Sequence, residues 1–131
     1  MNPLTSEWVE KAEGDFATTG RELRARKNPN YDAACFHAQQ CAEKYLKAML
    51  QEADIAFAKT HNLISLLDLL LSVDSTLEIM RADLQQLTTY SVNVRYPGES
   101  TNKDSARGAM RIAGAVRSRA RRWLGLVGQR L

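Results

Sequence analysis

The chain predicts an all-α protein, an antiparallel up-and-down bundle of four or five helices. Three observations point there. Apolar residues recur at three-to-four spacing in five segments. No segment alternates apolar and polar residues as a half-buried strand would. Only three prolines and seven glycines occur in 131 residues, so the connections are short and place successive helices side by side.

The first helix is predicted from about residue 6 to residue 26, with Trp8, Val9, Ala12, Phe16, Thr19 and Leu23 on one face. Asn28-Pro29-Asn30 breaks it. The second follows from Tyr31 to about Ala53, with Asn30 as its N-cap. Its face of Tyr31, Ala34, Cys35, Ala38, Cys41, Ala42, Tyr45, Leu46 and Met49 is wide and rich in small residues, which marks a central helix approached closely by its neighbours. The third begins after Lys59-Thr60-His61, with Thr60 as the expected cap. Its run of leucines requires cover on most sides. The fourth opens on Ser75-Thr76-Leu77-Glu78, a capping-box pattern, and turns Leu77, Met80, Leu84, Leu87 and Tyr90 inward. A loop through Arg95-Tyr96-Pro97-Gly98 follows. The fifth runs from about Thr101 to Val127, with Thr101 and Asp104 as a second capping box and Ala106, Ala109, Met110, Ala113, Val116, Ala120, Trp123, Leu124 and Val127 as its stripe. No composition shift or linker divides residues 1–131, so one domain is expected.

Composition excludes several classes. No apolar run approaches the roughly 18 residues a membrane span needs, and the first residues lack a basic-then-apolar leader. A cytoplasmic protein without membrane contact is expected. Cys35 and Cys41 stand about 120° apart on a helix, so they read as buried free thiols rather than a disulfide. With His37 and His61 they lack zinc-ligand spacing, and no metal or other cofactor is expected. No Gly-rich phosphate loop, G-x-S-x-G or H-E-x-x-H is present, so no catalytic residue is assigned.

Charge is unevenly placed. Residues 1–104 carry eleven Lys/Arg against fifteen Asp/Glu, whereas residues 105–131 carry seven arginines and no acid. Such a helix suits an acidic partner or nucleic acid, or else the acidic helices of its own fold or dimer.

Candidate binding residues lie on the second helix. With His37 at zero, Gln40 falls at about −60°, Lys44 at about −20° and Lys47 at about −80°, a polar stripe beside the apolar face. A histidine, an amide and two ammonium groups in line suit phosphate and base; the other reading is a solvated face whose lysines pair with Glu43 or acids elsewhere. His61, beside Lys59 at the start of the third helix, could complete a phosphate cradle or simply belong to a cap. Arg95 and Tyr96 sit in a loop, where binding residues concentrate, although both suit packing equally well.

The stretches FHAQQCAEKYLKAML (residues 36–50), FAKTHNLISLL (57–67) and RYPGE (95–99), taken in order, resemble the HEPN domain family, and WVEKAEGDFATTGREL resembles that family's first helix. The resemblance covers about residues 8–124. It implies four main helices plus a short one, a homodimer, and nucleotide or nucleic-acid binding. Small prokaryotic members often stand beside a minimal nucleotidyltransferase in a toxin–antitoxin-like module, and others resemble the C-terminal domain of kanamycin nucleotidyltransferase.

Many HEPN proteins are metal-independent ribonucleases with an Arg, four to six residues, then a His. Here residues 30–32 are Asn30, Tyr31 and Asp32, and residues 54–56 are Asp54, Ile55 and Ala56, so neither His37 nor His61 has its arginine. The expectation is therefore a non-catalytic binder of an ATP- or GTP-like nucleotide, using His37, Gln40, Lys44, Lys47, His61, Arg95 and Tyr96. It would partner a minimal nucleotidyltransferase. The alternatives are a ribonuclease with an altered site, an RNA-binding module using Arg107, Arg111, Arg117, Arg119, Arg121 and Arg122, and a structural partner whose polar stripe covers a second protein.

Overall fold

The computed structural model describes residues 1–91, 97, 98 and 100–126. Among them the structure is helical and contains no strand. Five α-helices follow in order: α1 (Pro3–Arg24), α2 (Tyr31–Glu52), α3 (Leu63–Leu70), α4 (Arg81–Thr88) and α5 (Lys103–Trp123). Short 3-10 segments at Ser75–Met80 and Thr89–Ser91 flank α4.

The five expected helices are all present, the fourth split into a 3-10 segment and the short α4, and each of their starts except that of α4, where Met80 makes no capping bond, is set by an asparagine or an aspartate. Asn2 caps α1 and Pro3 occupies its first position, so the helix starts earlier than the apolar stripe suggests. Asn30 caps α2 as expected, its side chain accepting from the Ala33 amide at 2.9 Å. At α3 the cap is Asn62 and not Thr60. Its Oδ1 accepts from the amides of Ile64 and Ser65, while Thr60 accepts from Asn62 itself. Asp74 caps the segment expected to open on a Ser75–Glu78 box, and Glu78 turns to Arg81 instead. Asn102 caps α5, which frees Thr101 to donate from both its amide and its hydroxyl to Asp32 at the start of α2. In each corrected case a nearby Asn or Asp outcompetes Ser or Thr, because its carbonyl-type oxygen reaches the first-turn amides.

Helix α2 is the centre. It packs against α1, α3, α4 and α5, and Ala34, Ala38, Cys41, Ala42 and Ala48 are fully buried. The small side chains let α1 come close enough for the Thr19 hydroxyl to donate to the Ala34 carbonyl at 3.0 Å. Cys35 and Cys41 are buried and free, as read from their spacing. Leu63, Leu66, Leu67 and Leu70 of α3 are buried, whereas Leu69 reaches the surface, so α3 is covered on one broad face rather than nearly all round. On α5 the stripe of Ala106, Ala109, Ala113, Val116 and Ala120 is buried together with Ile112. Val127 lies outside the described residues.

Candidate functional site

The polar side chains of α2 are not a free stripe. They are knitted to acids, and the most buried acid on the facing helix is Asp15 of α1. It stands one turn from the buried Ala12 and Thr19, inside the interface with α2. One of its oxygens meets His37 Nδ1 at 2.7 Å and the other accepts from Lys44 Nζ at 2.5 Å. His37 and Lys44 are two turns apart on α2, so a single carboxylate between them staples both side chains to one edge of the helix. Both remain partly open to solvent, at 33% and 22% exposure, while Asp15 does not. The Phe36 ring meets the His37 ring edge-on.

A second network forms around Glu43, also buried. Lys47 donates to it at 3.0 Å, Gln39 donates at 3.3 Å, and His61 Nδ1 lies 2.9 Å away. Gln39, fully buried, also donates to the His61 carbonyl and accepts from Gln40. Lys47 is 8% exposed and lies over the Trp8 ring, so it sits inside the packed surface rather than on the stripe beside it. His61 is 68% exposed and directly precedes the α3 cap. The two amides that would cradle a phosphate there are already taken by Asn62.

A third network draws the basic helix inward. Arg117 forks onto Glu13 at 2.6 and 2.8 Å and lies over the Phe16 ring. The Tyr45 hydroxyl donates to the same carboxylate and accepts from Arg121. Burial opposes the Glu13 charge, but the bonds from Arg117 and Tyr45 and the two guanidinium charges outweigh it and hold its carboxyl below the usual range. Burial, with the Glu13 bond next, pushes the Tyr45 hydroxyl up, and burial raises both cysteine thiols.

Of the residues singled out by spacing, the fold ties His37 and Lys44 to Asp15, and draws Gln40, Lys47 and His61 into the network around Glu43 and Gln39. Glu43, expected from the sequence as a partner of the lysines, pairs with Lys47, whereas Asp15, Glu13 and Gln39 were missed. Their signals were an acid within the apolar period of α1, and the i, i+4 series Gln39–Glu43–Lys47 on α2. Arg95 and Tyr96 lie outside the described residues. No group of three His, Cys, Asp or Glu residues suited to a metal occurs among the described residues. Nor is any described helix long and apolar enough to cross a membrane.

A family model for the HEPN domain matches residues 5–123, nearly the entire chain and every helix described above. The chain belongs to the HEPN domain family. Its fold is similar to the crystal structure of TT1696 from Thermus thermophilus, with a TM-score of 0.73 over 91% of this chain and 97% of that one. At 22% identity this likeness concerns the fold alone. No curated protein matches the chain.

In this HEPN domain each histidine is held through Nδ1 by a buried carboxylate, which restrains its ring. Lys44 adds a partly exposed ammonium beside His37. The arrangement supplies restrained hydrogen-bond donors, with the Lys44 charge balanced by Asp15 and the Lys47 charge by Glu43. Among the described residues the ion-pair partner at each histidine ring is a carboxylate, Asp15 at His37 and Glu43 at His61.

Proposed function

We propose that this HEPN protein binds an ATP- or GTP-like nucleotide along α2 without catalysing a reaction, as the homodimeric partner of a minimal nucleotidyltransferase in a toxin–antitoxin-like module. The observation that carries the reading is the Asp15-anchored pair. His37 and Lys44 are pre-positioned on one edge of α2 with their outer faces open. Holding a side chain in its bound geometry lowers the ordering cost of binding. His61 adds a third exposed donor, and Gln40 a fourth group through Gln39. Arg95 and Tyr96 would add a phosphate contact and a stacking ring. Lys47 contributes indirectly, by fixing Glu43 beneath His61. The absence of an Arg-x(4–6)-His pair in the sequence supports a binding rather than a cleaving role.

Calorimetric titration with ATP tests this. Lys44→Ala and Arg95→Ala should each weaken binding by about 1–3 kcal/mol. Unchanged affinity in both variants would refute the site. Co-purification with a co-expressed minimal nucleotidyltransferase tests the module.

A second reading is supported by α5. Arg107, Arg111 and Arg122 are exposed and recur on one side of the helix, which suits an RNA backbone. Arg117 and Arg121, counted among the RNA contacts on sequence grounds, are committed to Glu13 and Tyr45 and drop out of that surface. RNA binding through the remaining arginines should weaken steeply as salt rises.

A further inference from the structure

We propose that a cleft beside the second network, lined by Leu4, Glu7, Trp8, Lys11, Gln51 and Phe57, is the subsite for a nucleobase. The inference rests on the nucleotide reading and says where the base goes. Leu4, Glu7, Trp8 and Lys11 share one face of α1 by their three-to-four spacing, Gln51 comes from the last turn of α2, and Phe57 from the connection before α3. The cleft holds about 330 Å³, within the range of small-ligand sites. Trp8 and Phe57 meet edge-on, with centroids 6.2 Å apart, and both are only partly buried although they are large aromatic side chains.

The chemistry around these rings selects the occupant. A purely apolar partner would leave the Gln51 amide and the Glu7 and Lys11 charges without use. A nucleotide has a matching group for each, a flat base for the aromatic rings, donor and acceptor atoms on the base edge for the amide, ribose hydroxyls for the carboxylate and a first phosphate for the ammonium. The cleft is also joined to the polar site. Lys47 lies 5.4 Å from the centroid of the Trp8 ring and bonds Glu43, which holds His61. A base in the cleft and the outer phosphates at His61 would therefore bind to one continuous assembly.

The test follows the two tryptophan indole N–H signals by heteronuclear NMR while adenosine, ATP or indole is added. Adenosine and ATP should shift the Trp8 signal saturably and leave Trp123, at the end of α5, as an internal control. Trp8→Leu should weaken adenosine binding roughly tenfold to a hundredfold, the loss of one stacked base. Because Trp8 also packs on Phe57, Leu4→Trp at an exposed helix position provides a second variant. It should crowd the mouth of the cleft and weaken adenosine in calorimetry while the fold is kept. ATP binding that leaves the Trp8 signal unmoved and survives both variants would overturn the subsite while preserving the nucleotide reading. Adenosine binding in the cleft without tighter binding of ATP would keep the subsite and count against the phosphate contacts. Indole binding as tightly as adenosine, or no adenosine binding at all, would overturn the nucleobase assignment.

Discussion

Asp15 of α1 binds His37 at 2.7 Å and Lys44 at 2.5 Å, so one buried carboxylate organises two potential ligand contacts on α2. Removing this anchor should lower stability and affinity together. Asp15→Asn should lower folding stability by about 1–3 kcal/mol, because Lys44 and His37 lose a charged acceptor. The same variant should weaken ATP binding, because His37 and Lys44 lose the carboxylate that holds them in place. Urea unfolding and calorimetry on one preparation would show both losses. Tighter ATP binding in the variant would count against the Asp15-anchored pair as a pre-positioned phosphate contact.

Glu13 makes the fold sensitive to acid. Burial resists its charge, but Arg117, Tyr45 and Arg121 stabilise the carboxylate more, so its folded pKa lies below that of the unfolded chain. A depressed folded pKa means that the contribution is complete above the unfolded value of about 4.3 and is lost as pH falls through and below it. Glu13→Gln should therefore destabilise the protein at pH 7, and the difference from wild type should shrink when unfolding is measured toward pH 3. A difference independent of pH would assign the effect to packing.

The two thiols should be unreactive in the folded protein. Burial raises both, and at Cys41 the charges of Glu13 and Asp15 raise it further. Only the thiolate reacts at an appreciable rate. Labelling with iodoacetamide at neutral pH should be negligible over the time in which the unfolded protein labels fully at two sites. Rapid labelling of either cysteine in native protein would contradict this packing of α2.

The cap of α3 offers a local test. Asn62→Ala removes the acceptor for two first-turn amides and should cost about 1 kcal/mol, a fall in Tm of roughly 3–5 °C. Thr60→Ala, which removes a single bond to the Asn62 amide, should cost less. Equal losses would place the helix start at Thr60.

The five helices and the central place of α2 were legible because they depend on local periodicity and on the size of neighbouring side chains. Ala34, Ala38, Cys41 and Ala42 announce close packing wherever they stand on a helix. The caps expected at Asn30, Thr60, Ser75 and Thr101 were read within two residues, whereas the start of α1 was placed about three residues late. Choosing among adjacent Thr, His and Asn depends on backbone angles that the string of letters does not carry.

What the sequence determined by itself was an all-helical bundle, two buried thiols and an edge of α2 carrying His37, Gln40 and Lys44. Only the tertiary structure decided where those charges are spent. Asp15 and Glu13 lie 22 and 32 residues from His37 and Tyr45 in the chain, and Arg117 lies 104 residues from Glu13. A buried charge is tolerable only beside its partner. That partner is chosen by which helices pack together, and so Arg121 and Lys47, alike on paper to any surface cation, are drawn into the protein while Lys44 and His61 keep a face toward the solvent.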